Sequence, residues 1–282
     1  MRRIDSKKLE GFNQYMVQEE KSSGTVEKYL RDVRKFAGWM QLQTEQEVSR
    51  EKAAAWKMSL LEQGYKPVTI NSMVAAINLF FRFLGWEDCR IRFLRVQRQN
   101  FRREDRQMSK GDYEKLLETA TRRGKERLRI LMEAICGTGI RVSEVKYLTV
   151  EAVKAGRAEI ALKGKIRTIL IPGKLCRKLL KYAKKQKIAA GELFLTASGK
   201  SLSRKQIWAE MKKLCQAAGV EASRVFPHNL RHLFARTFYR VCRDLARLAD
   251  VLGHSSVDTT RIYLATTEAE QTRTLERLQL IS

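Results

Sequence analysis

Arg141, Lys163, His228, Arg231, His254 and Tyr263 are scattered over the second half of a 282-residue chain, and together they make chemical sense as a phosphodiester-cleaving site with a tyrosine nucleophile. The chain has 3 histidines, His228, His232 and His254, and all of them fall in two short stretches, Phe226-Pro-His-Asn-Leu-Arg-His232 and Leu252-Gly-His-Ser-Ser256. Arg141-Val-Ser-Glu144 puts a carboxylate three residues from a guanidinium on one helix face, where it can hold that group in place. His228-Asn-Leu-Arg231 repeats the spacing just after Pro227 starts a helix, so two arginines are available to fork a phosphate. Tyr263 follows His254 by nine residues, about two turns into a short helix opened by Ser255 or Ser256 with Asp258. Singly, these residues also suit surface ion pairs, a half-buried helix face or a core tyrosine. Their joint appearance in this order favours chemistry.

The elements that must carry them are mostly helices. Three prolines and long apolar stretches at helical spacing make the chain mainly α. The spacing predicts helices over about 5–20, 25–41, 49–63 and 67–84, the second capped by Thr25 and burying Val26, Tyr29, Leu30, Val33, Phe36 and Ala37. From Cys89 to Ser109 the pattern dissolves into arginines, a linker suited to following a phosphate backbone. Ser109 caps a second set, about 110–122 and 126–136, then a turn at Gly137-Thr-Gly139 and a helix opening near Arg141. Ala158–Leu162 and Arg167–Ile171 are short and β-branched, so a β-hairpin is expected with Lys163 at its tip and Gly164 at positive φ. Further helices are expected over about 174–187, 203–218, 227–242, 244–252, 256–265 and 268–280.

Composition sets the partners. Lys+Arg 56 against Asp+Glu 31 gives a formal charge of +25, which makes a polyanion, above all nucleic acid, the expected partner. The 5 cysteines are widely spaced with no C-x-x-C pair and are expected to be reduced. No apolar leader region and no run of ~20 apolar residues is present, so no membrane partner and a cytoplasmic, nucleoid-associated location are expected. There is no carboxylate cluster suited to two Mg²⁺ ions and no Gly-x-x-x-x-Gly-Lys-Ser/Thr loop, so neither metal, cofactor nor ATP is expected.

Thr138-Gly-Ile-Arg-Val-Ser-Glu144, Pro227-His-Asn-Leu-Arg-His-Leu-Phe-Ala235 and Leu252-Gly-His-Ser-Ser-Val-Asp-Thr-Thr-Arg-Ile-Tyr263 resemble the signature boxes of the tyrosine recombinases, the phage-integrase and Xer-like family. Ser23-Gly-Thr-Val-Glu-Lys-Tyr-Leu-Arg-Asp32 resembles that family's core-binding domain more weakly. The resemblance implies a helical core-binding (SAM-like) domain over 1–88, an Arg-rich linker over 89–108, and a catalytic domain over 109–282. The last is a mixed, mostly helical domain with a small antiparallel β-sheet, the DNA breaking-rejoining enzyme fold, and the two domains would form a C-shaped clamp on the duplex. Carried over by position, Arg141 and Arg231 bind the non-bridging oxygens, His228 and His254 add hydrogen bonds or move protons, and Tyr263 attacks. Lys163 matches the general acid, with Lys165 as its competitor.

The chemistry is consistent with that assignment. A free tyrosine has a pKa near ~10, and a pocket of cations favours both its phenolate and the charged transition state. His228 suits the base and Lys163 the acid. The implied function is site-specific recombination of double-stranded DNA by four protomers on two sites, through a covalent 3′-phosphotyrosyl intermediate. Thr266–Ser282 would dock on a neighbouring protomer or on its own domain. Two rivals share features with this reading: relaxation of supercoils by a type IB topoisomerase, and a non-catalytic DNA-binding protein.

Overall fold

The structure, a computed structural model, describes residues 2–95, 106–162, 165–254, 256–261, 263, 272–273 and 275–278. The chain divides into two compact units, Met1–Arg98 and Gln99–Ser282. No helix among the described residues is long and apolar enough to cross a membrane.

The first unit contains α1 (Ser6–Gln18), α2 (Ser23–Gln41), α3 (Arg50–Glu62) and α4 (Pro67–Phe83). Asp5 and Ser49 cap α1 and α3, their side chains accepting backbone N–H groups of Lys8 and Lys52 that lack a partner within the helix. Helix α2 starts ahead of the expected cap Thr25, whose hydroxyl meets the Ser22 hydroxyl at 2.9 Å. Val26, Leu30, Val33, Phe36 and Met40, three or four apart, face the core. There Phe36 meets Trp56 edge to face at 5.1 Å and Phe12 meets Phe80 in the same way. Each such ring contributes roughly 2 kcal/mol by leaving water.

Packing corrects the expected start of the linker. Cys89 and Ile91 are buried in this core. The Asn78 amide donates to Ile91 O at 2.9 Å and accepts from Ile91 N at 3.0 Å; one face along, Asn71 makes the same pair with Leu94 at 2.9 and 2.7 Å. Two asparagines seven apart on α4 thus act as a β-partner for a strand-like segment, so residues 89–94 belong to the first unit. The arginines at 98, 102 and 103 lie outside the described residues.

The second unit begins with α5 (Lys110–Arg122), closed at its start by a reciprocal Ser109–Asp112 capping box, and α6 (Glu126–Thr138). A 3₁₀ segment (Val142–Tyr147) follows where an α-helix was expected near Arg141, then the short, unexpected α7 (Val150–Lys154). Strands β1 (Arg157–Leu162) and β2 (Lys165–Leu170) pair antiparallel, Ile160 opposite Arg167 and Leu162 opposite Lys165. The second strand therefore starts two residues earlier than expected. Helices α8 (Gly173–Lys185), α9 (Arg204–Ala218), α10 (Pro227–Cys242), α11 (Leu245–Leu252) and α12 (Val257–Arg261) complete the described elements.

Helix α6 is the axis of this unit. Leu128, Ile130, Leu131, Met132, Ala134 and Ile135 are buried around most of its circumference, and α5, α8, α9 and α10 pack on it. It delivers its C-terminus, and Arg141 beyond it, to α10. The helix expected over 268–280, and with it most of the segment expected to dock on a protomer, falls largely outside the described residues.

Candidate active site

Three chain reversals bring the chemistry together. Helix α6 ends on Gly139 at φ +65, a left-handed conformation that side chains resist, and a Cβ there would lie 2.5 Å from the Phe234 ring. Pro227 opens α10 at the position where a missing N–H costs nothing, leaving His228 exposed on the first turn and Arg231 turned inward at 1% exposure. Helix α11 ends on Gly253, again left-handed at φ +63, and His254 N donates to Ala249 O at 3.0 Å to finish the cap.

Arg231 is the hub. Its Nη1 donates to Gly139 O, its Nη2 donates to Leu252 O at 2.8 Å and lies 3.0 Å from His254 Nε2, and its Nε donates to the Tyr263 hydroxyl at 3.4 Å. One guanidinium therefore touches the ends of α6 and α11, the histidine after α11 and the tyrosine after α12. Tyr263 is 5% exposed and shares a small core with Ala235, Leu248 and Leu252. Its ring stacks on His254 at 5.5 Å, meets His232 at 4.4 Å and lies 6.1 Å from His228. His254 Nδ1 is 2.7 Å from the Thr260 hydroxyl.

Arg141 sits beside this hub through a carboxylate. Glu144, 3% exposed, accepts the Arg141 backbone N–H and Nη1, each at 2.9 Å, while Arg141 Nη2 donates to Gly253 O at 3.3 Å. Arg141 is the N-cap of the 3₁₀ segment rather than a helical residue, so the expected Arg–Glu contact forms across a cap instead of along a helix face. Arg167 of β2 donates to the other side of the same carboxylate and to Leu252 O.

The electrostatics follow from burial. Removal from water pushes the Arg231 and Arg167 guanidinium pKa values down, as it must for a desolvated cation. Burial, followed by the charges of Arg231, Arg141 and Arg167, holds His254 down to about 4. Among the described residues Arg231 has no carboxylate partner; carbonyls, an imidazole and a phenol satisfy it. A buried cation held by neutral groups, with a second guanidinium beside it, is a site for an incoming anion. A cavity of about 780 Å³ opens here, lined by Arg141, His228 and Arg231 and walled by Arg204, Trp208 and Phe226. A larger cavity of about 970 Å³, near Lys125, Tyr182 and Lys213, contains none of the six residues.

Of those six, Arg231, His254 and Tyr263 meet directly, Arg141 is joined to them through Glu144 and Gly253, and His228 stands at the edge of the Tyr263 ring. Lys163 lies outside the described residues. Sequence reasoning passed over Arg167, His232 and Thr260. His232 had a signal, since it lies one turn after His228; Thr260 had none; Arg167 looked like an ordinary charged position in an alternating strand.

Comparison with known proteins agrees with this geometry. The phage integrase family matches residues 106–270, and the phage integrase N-terminal SAM-like domain matches residues 9–88. Tyrosine recombinase XerA of Pyrococcus furiosus is 29% identical over 99% of this chain and 96% of its own. Tyrosine recombinase XerC of Herpetosiphon aurantiacus is 31% identical over 90% and 89%. Among solved structures, XerH site-specific recombinase bound to difH substrate in a pre-cleavage complex superposes with a TM-score of 0.68 at 20% identity, covering 96% of this chain and 84% of that one. A lambda integrase dimer bound to a COC′ core site superposes with a TM-score of 0.70 at 17% identity over 91% and 94%.

Proposed function

The chain belongs to the phage integrase family of tyrosine recombinases, and on that premise we propose that it cuts and rejoins double-stranded DNA at a specific recombination site through Tyr263. The Tyr263 oxygen attacks the scissile phosphorus, the bond to the 5′ oxygen breaks, and a 3′-phosphotyrosyl ester remains. Arg141 and Arg231 hold the non-bridging oxygens, whose charge grows in the transition state. His254 adds a hydrogen bond, and His228, on the exposed first turn of α10, takes the phenol proton. Lys163 protonates the departing 5′ oxygen. The ester conserves the energy of the broken bond, so a 5′ hydroxyl from the partner duplex reverses the attack without ATP or metal.

In this reading residues 1–88 form the core-binding domain, 89–108 the connection and 109–282 the catalytic domain. Four protomers work on two DNA sites in the bacterial nucleoid. The positive charge of +25 suits such a polyanion.

The observation that carries the proposal is the convergence of Arg231, His254 and the buried Tyr263 hydroxyl from three separate helix ends. A duplex selected by the protein from a randomised pool, nicked so that cleavage releases a short fragment, tests it on a denaturing gel. Wild type should form a protein–DNA adduct that vanishes with Tyr263→Phe. An adduct that persists in that variant refutes the assignment.

A further inference from the structure

Arg167 has features that stability does not account for. Its side chain is 15% exposed, and its Nε is buried without a hydrogen-bond partner among the described residues. Burying a guanidinium costs several kcal/mol even when paired, and leaving one N–H unmet adds to that cost. An apolar side chain would pack here more cheaply. What the guanidinium does instead is bridge two elements far apart in sequence: Nη2 donates to Glu144, which also holds Arg141, and Nη1 donates to Leu252 O, which also accepts from Arg231. Gly253 is shaped to it. A Cβ on Gly253 would lie 2.4 Å from Arg167 Cδ and 2.5 Å from Nη1, so the turn that carries His254 has no side chain where Arg167 passes.

Arg167 is also the only described link of this kind from β2 into the cluster. The β1–β2 register ends at Leu162 opposite Lys165, so the two residues between them, Lys163 and Gly164, form the connection. A two-residue connection leaves little slack, and where β2 is pinned, the turn is pinned.

We propose that Arg167 is a positioning residue that clamps the β-hairpin to Glu144 and the Leu252 carbonyl, so that the Lys163 ammonium is held in register with the phosphate-binding arginines. This rests on the assignment of Lys163 as the acid that protonates the leaving 5′ oxygen. A clamp of this kind acts on the departure of the leaving group and leaves attack by Tyr263 intact.

The test replaces the bridging 5′ oxygen of the selected nicked duplex with sulfur. In both substrates the Tyr263 oxygen bonds to phosphorus and the bond to the 5′ atom breaks. The oxygen must leave with a proton from Lys163, whereas a thiol of pKa about 8.5 leaves as thiolate unaided. Lys163→Ala is the control: it should lose about 100-fold on the oxygen substrate and recover on the sulfur substrate. Arg167→Gln should show the same selective loss and the same recovery. So should Arg167→Lys, which keeps the charge but cannot reach both acceptors, and it carries the test if the glutamine variant does not fold.

Recovery of the Arg167 variants on sulfur supports the clamp. Equal loss on both substrates, while Lys163→Ala recovers, overturns it by placing the effect of Arg167 on attack. Loss of the thermal transition in both Arg167 variants overturns it too, making the residue a stability element. If Lys163→Ala does not recover on sulfur, it is the Lys163 assignment that fails, and the clamp with it. If wild type forms no adduct on either substrate, the proposed function itself fails.

Discussion

Arg231 Nη2 lies 3.0 Å from Nε2 of His254, and a guanidinium can only donate, so the imidazole accepts there and carries its proton on Nδ1, which donates to the Thr260 hydroxyl at 2.7 Å. The arginine thus selects one neutral tautomer and fixes the plane of the ring stacked on Tyr263.

A neutral His254 has a pH signature. Burial and neighbouring cations hold it at about 4 against an ordinary 6.5, so the folded chain binds fewer protons than the unfolded one in between. Its contribution to stability is present in full above about 6.5, is lost as the pH falls toward about 4, and changes no further below. Urea unfolding across this window should show a steeper pH dependence for wild type than for His254→Gln. An NMR titration of the three histidines should find one that stays neutral at pH 5.

Gly253→Ala combines two penalties that a second glycine separates. Gly219 ends α9 at φ +61 with nothing near its missing Cβ, so Gly219→Ala should cost only the left-handed strain, about 1 kcal/mol. Gly253→Ala adds the collision with Arg167 and should cost about 2 kcal/mol or more by chemical denaturation. It should also slow adduct formation, whereas Gly219→Ala should not.

Glu144→Gln keeps the shape but removes the buried charge shared by Arg141 and Arg167. Breaking one side of a buried ion pair costs on the order of 3 kcal/mol, and here two guanidinium groups lose their anion. The melting midpoint should fall and cleavage should fall with it. Lys110→Gln, which breaks an exposed pair with Glu114 at 3.6 Å, should change stability by less than about 1 kcal/mol.

Tyr263→Phe should abolish the adduct while leaving the fold almost intact. The ring remains in its core with Leu248 and Leu252, and the lost contact is one 3.4 Å hydrogen bond from Arg231 Nε, worth about 1 kcal/mol. A large drop in the melting midpoint would mean that the hydroxyl serves the fold rather than the reaction.

Much of the molecule could be read from local patterns. Ser109 and Asp112 announce a helix start because a capping box is completed within four residues. The spacing of Val26, Leu30, Val33 and Phe36 marks a buried helix face because helical period alone sets which side chains align. The signature stretches around Arg141, Arg231 and Tyr263 brought the residue types of the site, and the family, into view before any coordinates. Where prediction and structure part, the deciding partners are distant. Residues 89–94 looked like linker because their hydrogen bonds go to Asn71 and Asn78 on α4 rather than to neighbours.

Residue types, their order and the helical faces that bear them are carried by near-neighbour chemistry, and so the chain alone was enough to nominate Arg141, Lys163, His228, Arg231, His254 and Tyr263. Which groups touch is another matter. Arg167 became visible only once folding set it between Glu144, 23 residues away, and Leu252, 85 residues away. The tautomer of His254 likewise depends on a guanidinium from a different helix. Burial, which gives these contacts their strength and moves their protons, belongs to the packed chain: a charge is desolvated only when distant segments close over it.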